Sequence, residues 1–500
     1  MKVLLMDPAH PLDLEATPPP NAEQLIQDLE LETLLGAMAA GDRFLYRVAR
    51  AAILGSVAIT DPAVITYRQR VVADTVAHPD VIDRIYGIAV EAIRGERNIW
   101  GLGHASPESL LSRSLQRLDL FMDKLKELLE VAGQHADAFE SDGFRQFFSM
   151  LVDQLPADYF DAVAGQVAQL RKPALLVSAQ LGAGNKAINY TLRSPWPESW
   201  RERLSPFRHK GLSFQVADRD EAGARAISEL RARAINDAAN AVAQSADHIL
   251  AFFRSLHTEL AFYLGVANLQ RSLSELGQPT CVPMATPTAS AKPQLSARGL
   301  YDPCLALTLN GPVVGNDLEG DGKSLVVITG ANQGGKSTFL RAVGLAQLML
   351  QAGMFVGADT FAADARDGIF THYKREEDTD MRHGKLDEEL DRMSAIAKWL
   401  RPGSLLLSNE SFASTNEREG SEIARQVLAA LTECGVKVIF VTHLFDLAHR
   451  LAVGPHDEVL FLRARRAEDG QRTFEVEPGD PLPTSYAEDT YAQVFGETLR

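Results

Sequence analysis

Apolar residues with helical spacing dominate the first third of the chain. From about Ala22 they recur every three or four positions, which is typical of amphipathic helices. The same pattern returns over residues 61–94, 106–132 and 139–170. We therefore predict a helical core domain over residues 21–172, preceded by an irregular, proline-rich N-terminus over residues 1–20.

The pattern changes over residues 173–217. Two short apolar runs flank the segment GAGNK, as in a β-hairpin around a glycine-rich turn, and a further strand-like run, LSFQV, follows an irregular stretch. Residues 218–277 then carry the longest helical pattern of the chain, without proline. A continuous helix of this length would reach about 90 Å. The sequence thus predicts a small β-containing tip over residues 173–217 and a lever helix over residues 218–277.

Strands alternate with helices in the C-terminal part. Residues 278–300, rich in Pro, Ser and Thr, indicate a linker, and the alternation over residues 301–500 predicts an α/β domain with a parallel sheet. The predicted fold class is therefore mixed: an all-α core and lever region with a small β-containing tip, followed by an α/β phosphate-loop (P-loop) domain.

A glycine-rich turn carries the first candidate functional residues of that domain. The run LVVITGANQGGKSTFLRA places the spacing G-x-x-x-x-G-K-[ST] between a strand pattern and an amphipathic helix. Such glycines let backbone N–H groups surround a triphosphate at the positive end of the helix. The alternative is a glycine-rich turn that matches by chance. The predicted nucleotide-binding residues are Gly330, Ala331, Asn332, Gln333, Gly334, Gly335, Lys336, Ser337 and Thr338.

Two of these side chains have specific roles in P-loop chemistry. Lys336 would reach the β- and γ-phosphates, and Ser337 would place its hydroxyl on Mg²⁺. ATP and Mg²⁺ are therefore the predicted cofactors.

Two later strand patterns end in polar residues. SLLLSNES ends with Asn409 and Glu410, and VKVIFVTH ends with His443. Residues at the carboxyl ends of parallel strands lie where open α/β sheets bind ligands. Glu410 fits the general base that orients the attacking water, and His443 fits a residue that senses the γ-phosphate or steadies the water. The alternatives are a buried strand capped by a polar pair and a structural histidine.

Composition narrows the class of protein. An apolar content of 46% over 500 residues suits several buried cores, and no apolar stretch approaches the length that spans a membrane. Three widely spaced cysteines indicate neither a disulfide framework nor a zinc site, and the apolar run at the N-terminus is too short for a signal peptide. These features predict a cytoplasmic protein without a membrane partner.

The net charge of −16 excludes a polycation that wraps nucleic acid. One stretch of the chain, however, carries a local excess of positive charge. Residues 171–210 contain eight Lys or Arg and two Glu, interleaved with Trp and Phe. This composition suits contact with a DNA phosphate backbone, and the alternative is a solvated basic loop over buried aromatic rings. The candidate DNA-binding residues are Lys186, Arg193, Arg201, Arg203, Arg208 and Lys210.

Several motifs together resemble the MutS DNA mismatch-repair family. The segment TGANQGGKSTFLRAVGLAQLMLQAGMFVGA is similar to the core of its ATPase domain, and the similarity continues through GIFTHYKREED, LLLSNESFASTNEREG, VIFVTHLFDLA and SYA. Upstream, ELAFYLGVANLQRSL resembles the long helix that returns to that ATPase. The resemblance implies a homodimeric ATPase in which helical levers transmit the nucleotide state to a clamp, the tip of residues 173–217, that closes around DNA.

Three departures from the family pattern qualify this expectation. No Phe-x-Glu motif occurs in the first hundred residues, so the mismatch-recognition domain is expected to be absent. Asn409 stands where the family has a metal-associated Asp, so it and Ser337 are the expected metal-site residues and turnover is expected to be slow. In HGKLDEEL, Lys385 remains able to contact a partner's γ-phosphate, whereas three acidic residues after Leu386 would repel it; the alternative is a solvated acidic helix face.

The favoured hypothesis is an ATP-dependent dimeric clamp that acts on mismatched, branched or otherwise structured DNA in repair or recombination. The alternative is an ATP-driven dimerisation switch that acts on a protein partner without binding DNA. A site that binds ATP but barely hydrolyses it is compatible with either.

Overall fold

The computed structural model describes residues 1–99, 106–171, 176–185, 187–193, 220–287, 293–331, 333–375, 384–453, 457–466 and 472–481. The chain divides into two compact units. The first unit comprises Met1–Val3, Asp80–Phe139 and Arg145–His257, and the second comprises Leu4–Pro79, Glu140–Phe144 and Thr258–Arg500. No helix in these described ranges is both long and apolar enough to cross a membrane.

The α-helices and β-strands alternate only in the C-terminal half. The helices are α1 (Ala22–Asp28), α2 (Leu31–Ala39), α3 (Arg43–Gly55), α4 (Pro62–Ala77), α5 (Pro79–Asn98), α6 (Pro107–His135), α7 (Asp142–Gln154), α8 (Ala157–Leu170), α9 (Glu221–Glu275), α10 (Pro303–Leu309), α11 (Lys336–Gln351), α12 (Lys385–Ala397), α13 (Glu417–Glu433) and α14 (Phe445–Val453). The strands are β1 (Leu176–Leu181), β2 (Ala187–Arg193), β3 (Met284–Thr286), β4 (Leu295–Leu300), β5 (Asn316–Glu319), β6 (Leu325–Thr329), β7 (Thr360–Asp364), β8 (Ile369–Tyr373), β9 (Leu405–Asn409), β10 (Lys437–Val441), β11 (Val459–Arg466) and β12 (Arg472–Pro478).

Helices form the core of the first unit. The side chain of Ser106 caps α6 by accepting a hydrogen bond from the Ser109 amide at 3.1 Å, and Pro107 suits the first helical position because its missing N–H is not needed there. The ring of Phe121, on the buried stripe of α6, lies 5.8 Å from the ring of Phe253 on α9. Arg117 pairs with Asp247 at 2.7 Å beside this contact. The 3.6-residue periodicity therefore corresponds to apolar faces that pack on each other.

β1 and β2 form the antiparallel pair that the GAGNK turn indicates, with Leu181 opposite Ala187. Helix α9 occupies most of the range predicted for the lever helix. The strand expected for LSFQV lies outside the described residues, as does the rest of residues 194–219.

A six-stranded sheet organises the second unit, with the order β12-β11-β6-β10-β9-β8. All neighbours are parallel except β12, which runs antiparallel to β11. Every residue of β6 and β10 is buried, which explains their continuous apolar runs, because central parallel strands are covered on both faces. This order brings the carboxyl ends of β6, β10 and β9 side by side.

A four-stranded sheet, β3-β7-β4-β5, accompanies the larger one. Asn316 on β5 links the two sheets through its side chain. Its Oδ1 accepts a hydrogen bond from the Val476 amide at 2.6 Å, and its Nδ2 donates to the Phe474 carbonyl at 3.3 Å. The smaller sheet is thereby tied to β12.

The N-terminal stretch has no regular structure, yet part of it is anchored to the second unit. The fully buried carboxylate of Glu259 on α9 accepts hydrogen bonds from the amides of Leu5 at 2.6 Å and of Met6 and Leu12 at 3.2 Å. Burial raises the pKa of Glu259 to about 7, although these amides and Arg68 act in the opposite direction. Three backbone donors thus take the place of water around a buried acid.

Candidate active site

The turn between β6 and α11 is the segment that the sequence predicts to be a phosphate loop, and two of its glycines have a left-handed backbone. Gly330 has φ of +114° and Gly335, which precedes the first residue of α11, has φ of +89°. A Cβ atom on Gly330 would lie 3.0 Å from the backbone nitrogen of Ala464 on β11. Glycine is needed here both for the left-handed backbone and for the close approach of the neighbouring strand.

The side chain of Lys336 lies across this turn. Its Nζ donates hydrogen bonds to the carbonyl oxygens of Gly330 and Ala331, both at 2.8 Å. Burial lowers the pKa of the ammonium group, and the charge of Glu410 opposes that shift. A buried, prepositioned cation at the N-terminus of a helix is suited to an anionic ligand.

Ser337 and Asn409 face each other at the carboxyl edge of the sheet. The Ser337 hydroxyl donates to Asn409 Oδ1 at 3.0 Å. The two residues are 72 positions apart in sequence, and the parallel pairing that places Asn409 beside Val441 of β10 brings them together. The side chain of Asn409 therefore supplies a neutral oxygen where a carboxylate would add a charge.

Glu410 lies directly after β9 and faces His443. Its backbone amide donates to the Val441 carbonyl at 2.8 Å, and its Oε1 is 3.6 Å from the imidazole Nδ1 of His443. The neighbouring His443 is the largest cause of the lowered pKa of Glu410; Lys336 adds to it, and burial opposes it. Glu410 is therefore held as a carboxylate, the form that accepts a proton.

A cavity of about 710 Å³ brings these elements together. Its polar side is formed by residues of the phosphate loop, by Ser337 and by Glu410. Its apolar lining includes residues from α10, the segment after it, and β12: Leu305, Leu309, Val313, Val314 and Phe474. A polar end for phosphates and an apolar end for a flat ring fit the two halves of a nucleotide.

Two cavity features could not be read from the sequence. Phe474 lines the cavity, is 49% exposed and has a left-handed φ of +59°, and the Asn316 side chain donates a hydrogen bond to its carbonyl oxygen. Arg472 also donates to the side-chain oxygen of Gln333 in the phosphate loop. Both residues are on β12, more than 130 positions after the loop, and no spacing rule connects the two segments.

One acidic residue of helix α12 is buried, unlike the solvated acidic face that the sequence indicates. A solvated acidic face describes Asp387 and Glu388, which are exposed, but Glu389 is only 3% exposed. Its carboxylate accepts hydrogen bonds from the Phe412 amide and the Ser414 hydroxyl, both at 2.8 Å. Glu389 points into the protein, so the interpretation that places it on a solvated acidic face is wrong for this residue.

The turn after Glu410 also depends on a glycine of α13. A Cβ atom on Gly420 would lie 2.3 Å from the carbonyl oxygen of Phe412. We expect Gly420→Ala to lower the free energy of unfolding by about 1–3 kcal/mol, because backbone atoms must move to relieve the overlap. Urea denaturation measures the change. Gly36→Ala is the matched control, because Gly36 lies inside α2 with open space around it; equal stability of the two variants would contradict the prediction.

Of the predicted DNA-binding residues, one lies within the described part of the chain. Arg193 is the last residue of β2. The others lie outside the described residues: Lys186, Arg201, Arg203, Arg208 and Lys210. Asn332 of the phosphate loop is outside them as well.

Two known protein-family models match the chain, and one of them spans the site. Residues 326–479 match the family model described as MutS domain V, and residues 60–276 match the one described as MutS2 N-terminal domain. The chain belongs to the MutS family. The domain V match contains the phosphate loop, Glu410, His443 and Phe474.

Individual members of the MutS family match the chain over shorter stretches. The DNA mismatch repair protein MutS of Chloroflexus aurantiacus is 31% identical over 191 residues, which cover 35% of this chain and 20% of that protein. MutS of Thermus aquaticus is 36% identical over 175 residues, covering 35% of this chain and 21% of the relative. Endonuclease MutS2 of Lacticaseibacillus casei is 36% identical over 137 residues, covering 27% and 17%. The chain thus matches about a fifth of the length of these relatives.

Proposed function

We propose that this MutS-family chain binds ATP with Mg²⁺, hydrolyses it, and uses the nucleotide state to control a dimeric clamp on structured DNA. The observation that carries the proposal is the convergence of Lys336, Ser337 and Glu410 on one cavity with an apolar end. The resemblance to ATPases of the family and the names of the relatives support the same function.

The donor set at the carboxyl edge fits a nucleotide-bound Mg²⁺. Ser337 and Asn409 offer two oxygen atoms within 3.0 Å of each other. No group of three or more His, Cys, Asp and Glu that could hold a metal occurs among the described residues. Mg²⁺ in such enzymes takes most of its ligands from phosphates and water, so two protein oxygens suffice. When bound, the ion neutralises charge on the β- and γ-phosphates.

The side chains divide the work of hydrolysis between them. Lys336 binds the phosphates, and the backbone of Gly330 to Gly335 surrounds them. Glu410 accepts a proton from the attacking water, and His443, next to its carboxylate, orients that water or contacts the γ-phosphate. The apolar side of the cavity holds the base, and Phe474 is the most exposed of three aromatic residues that line the cavity, the others being Tyr301 and Phe339.

The clamp is proposed from the sequence and from the relatives. The names of two relatives, DNA mismatch repair protein MutS and Endonuclease MutS2, describe proteins that act on DNA, and residues 171–210 concentrate positive charge in an acidic chain. Binding through such a stretch would be dominated by phosphate contacts. A homodimer is proposed on the resemblance alone.

A binding panel tests the proposed function. Duplex, single-stranded, mismatched and branched DNA are titrated with and without ATP at two salt concentrations. We expect ATP-dependent affinity for at least one structure, and this affinity should fall steeply as salt increases. Absence of salt-sensitive binding to all four would refute the clamp.

The net charge of the chain, −16, favours one alternative function, an ATP-driven dimerisation switch that acts on a protein partner. Replacing Arg201, Arg203 and Arg208 with Glu distinguishes the two functions. Loss of DNA affinity together with loss of the cellular role supports the clamp. An unchanged cellular role supports the switch.

Asn409→Asp tests the effect of the missing carboxylate. We expect ATP turnover to rise several-fold and half-maximal activity to need less Mg²⁺, because Asp adds a negative charge beside Ser337. Steady-state turnover at a series of Mg²⁺ concentrations measures both. Asn416→Asp, at the exposed cap of α13, is the matched control. Unchanged or slower turnover in Asn409→Asp would remove the argument from the missing charge.

A further inference from the structure

The turn that follows β9 holds an unusual backbone. Glu410 has φ of +55° and Phe412 has φ of +63°, both in the left-handed region that non-glycine residues rarely adopt. Each such residue costs about 1–3 kcal/mol unless surrounding contacts hold it. The carboxylate proposed as general base is therefore carried by a turn that needs external support.

Glu389 of α12 supplies part of that support. One carboxylate oxygen accepts a hydrogen bond from the Phe412 amide and the other accepts one from the Ser414 hydroxyl, both at 2.8 Å. The side chain is buried, so water does not replace these bonds if they break. A buried carboxylate that bonds a backbone amide fixes the position of that amide more firmly than a neutral acceptor does.

Ser411 is held from the other side of the turn by β8 and β9. The Nε2–H group of His372 donates to the Glu389 carbonyl at 3.1 Å, so its Nδ1 accepts from the Ser411 hydroxyl at 2.6 Å. Ser408 bonds the same hydroxyl at 2.6 Å. Burial and the charge of Arg392 lower the pKa of His372 to about 4, which keeps the ring neutral. Residues 410–414 are thus attached to α12 through both Glu389 and His372.

We propose that Glu389 is a positioning residue for hydrolysis, which acts by holding the turn that carries Glu410. The proposal rests on the proposed ATPase function. In it, Glu389 fixes the position of the general base, Glu410. Glu389 itself does not line the nucleotide cavity, so it acts through the backbone of the turn rather than on the nucleotide.

Loss of the Glu389 carboxylate should affect catalysis but not nucleotide binding. Glu389→Ala leaves the Phe412 amide buried without its acceptor and releases the turn, so the Glu410 carboxylate no longer keeps one position. Misplacing a catalytic group by about 1 Å can lower a rate by about 10²-fold. The Glu389 carboxylate bonds Phe412 and Ser414, whereas Lys336 bonds the carbonyls of Gly330 and Ala331, so affinity for the nucleotide stays unchanged.

The experiment compares three variants of the full chain. We expect Glu389→Ala to lower kcat by about 10- to 100-fold with an unchanged dissociation constant for a fluorescent ATP analogue. Glu389→Gln should retain most of the wild-type kcat, because its amide oxygen still accepts from Phe412 and its NH₂ group donates to Ser414. Asp391→Ala, at an exposed acidic position of the same helix, is the control and should match the wild type.

Hydrogen exchange at residues 410–414 gives a readout that does not depend on activity. The amides of this turn should exchange faster in Glu389→Ala and as in the wild type in Glu389→Gln. If Glu389→Ala does not fold, Ser414→Ala is the test variant. It removes only one hydrogen bond to the Glu389 carboxylate, and we expect it to lower kcat as well.

The outcomes distinguish the two proposals. A wild-type chain without ATP turnover would refute the proposed ATPase. An active wild type with equal kcat in Glu389→Ala, or in Ser414→Ala when the first variant is unfolded, would overturn only the positioning role. Equal loss of kcat in Glu389→Ala and Glu389→Gln would overturn it too, because Gln retains both hydrogen bonds.

Discussion

Glu410→Gln is expected to reduce ATP turnover by about 10²- to 10⁴-fold, the contribution of a positioned general base. The amide retains the size of the carboxylate and the backbone bond to Val441, but it cannot accept the proton of the attacking water. The lowered pKa of Glu410, caused mainly by His443, keeps the wild-type side chain ionised at neutral pH, so the substitution removes the reactive form. Nucleotide affinity should be nearly unchanged.

Single-turnover hydrolysis and titration with a fluorescent ATP analogue measure these two quantities separately. Glu433→Gln, at the exposed end of α13, controls for the loss of one negative charge. Turnover in Glu410→Gln close to that of the wild type would assign the general base to another residue. A large loss of nucleotide affinity would instead place Glu410 in ground-state binding.

Lys336→Met is expected to weaken ATP affinity by about 10- to 100-fold, which corresponds to the loss of hydrogen bonds to a charged group. The ammonium group lies at the phosphate loop and is oriented by the carbonyls of Gly330 and Ala331. Methionine retains most of the apolar stem in this buried position, so the expected loss comes from the charge rather than from a cavity.

Equilibrium titration in the presence of Mg²⁺ measures the affinity of the variant. Lys398→Ala, at the exposed end of α12, tests whether removing any cation has the same effect. Thermal denaturation without nucleotide checks that Lys336→Met remains folded. Wild-type affinity in a folded Lys336→Met would contradict the assignment of the cavity to a triphosphate.

Features encoded in contiguous segments were predictable from the sequence. The predicted phosphate loop is one contiguous segment that runs from the end of β6 into the first turn of α11, so its spacing alone indicates where it lies in the fold. Glu410 and His443 were also accessible, because both follow apolar strand patterns and parallel strands end at one edge of a sheet. Their proximity, 3.6 Å between Glu410 Oε1 and His443 Nδ1, requires β9 and β10 to be neighbours in the sheet.

Features that depend on packing between distant segments were not predictable. Glu389 belongs to a run of acidic residues whose pattern is typical of a solvent-exposed face, and only the contact with Phe412 shows that it points inward. Phe474 lines the cavity because β12 pairs with β11 and is held by Asn316. Neither relation leaves a periodicity or a motif in the sequence.

The position of β12 at the side of β11 has a consequence for the solution behaviour of the chain. A version shortened before Arg472 would lose Phe474 and the arginine that contacts Gln333. It would also uncover the backbone N–H and C=O groups of β11 that now pair with β12. Uncovered strands of this kind associate with other chains. The same short segment that completes the cavity therefore also covers the edge of β11.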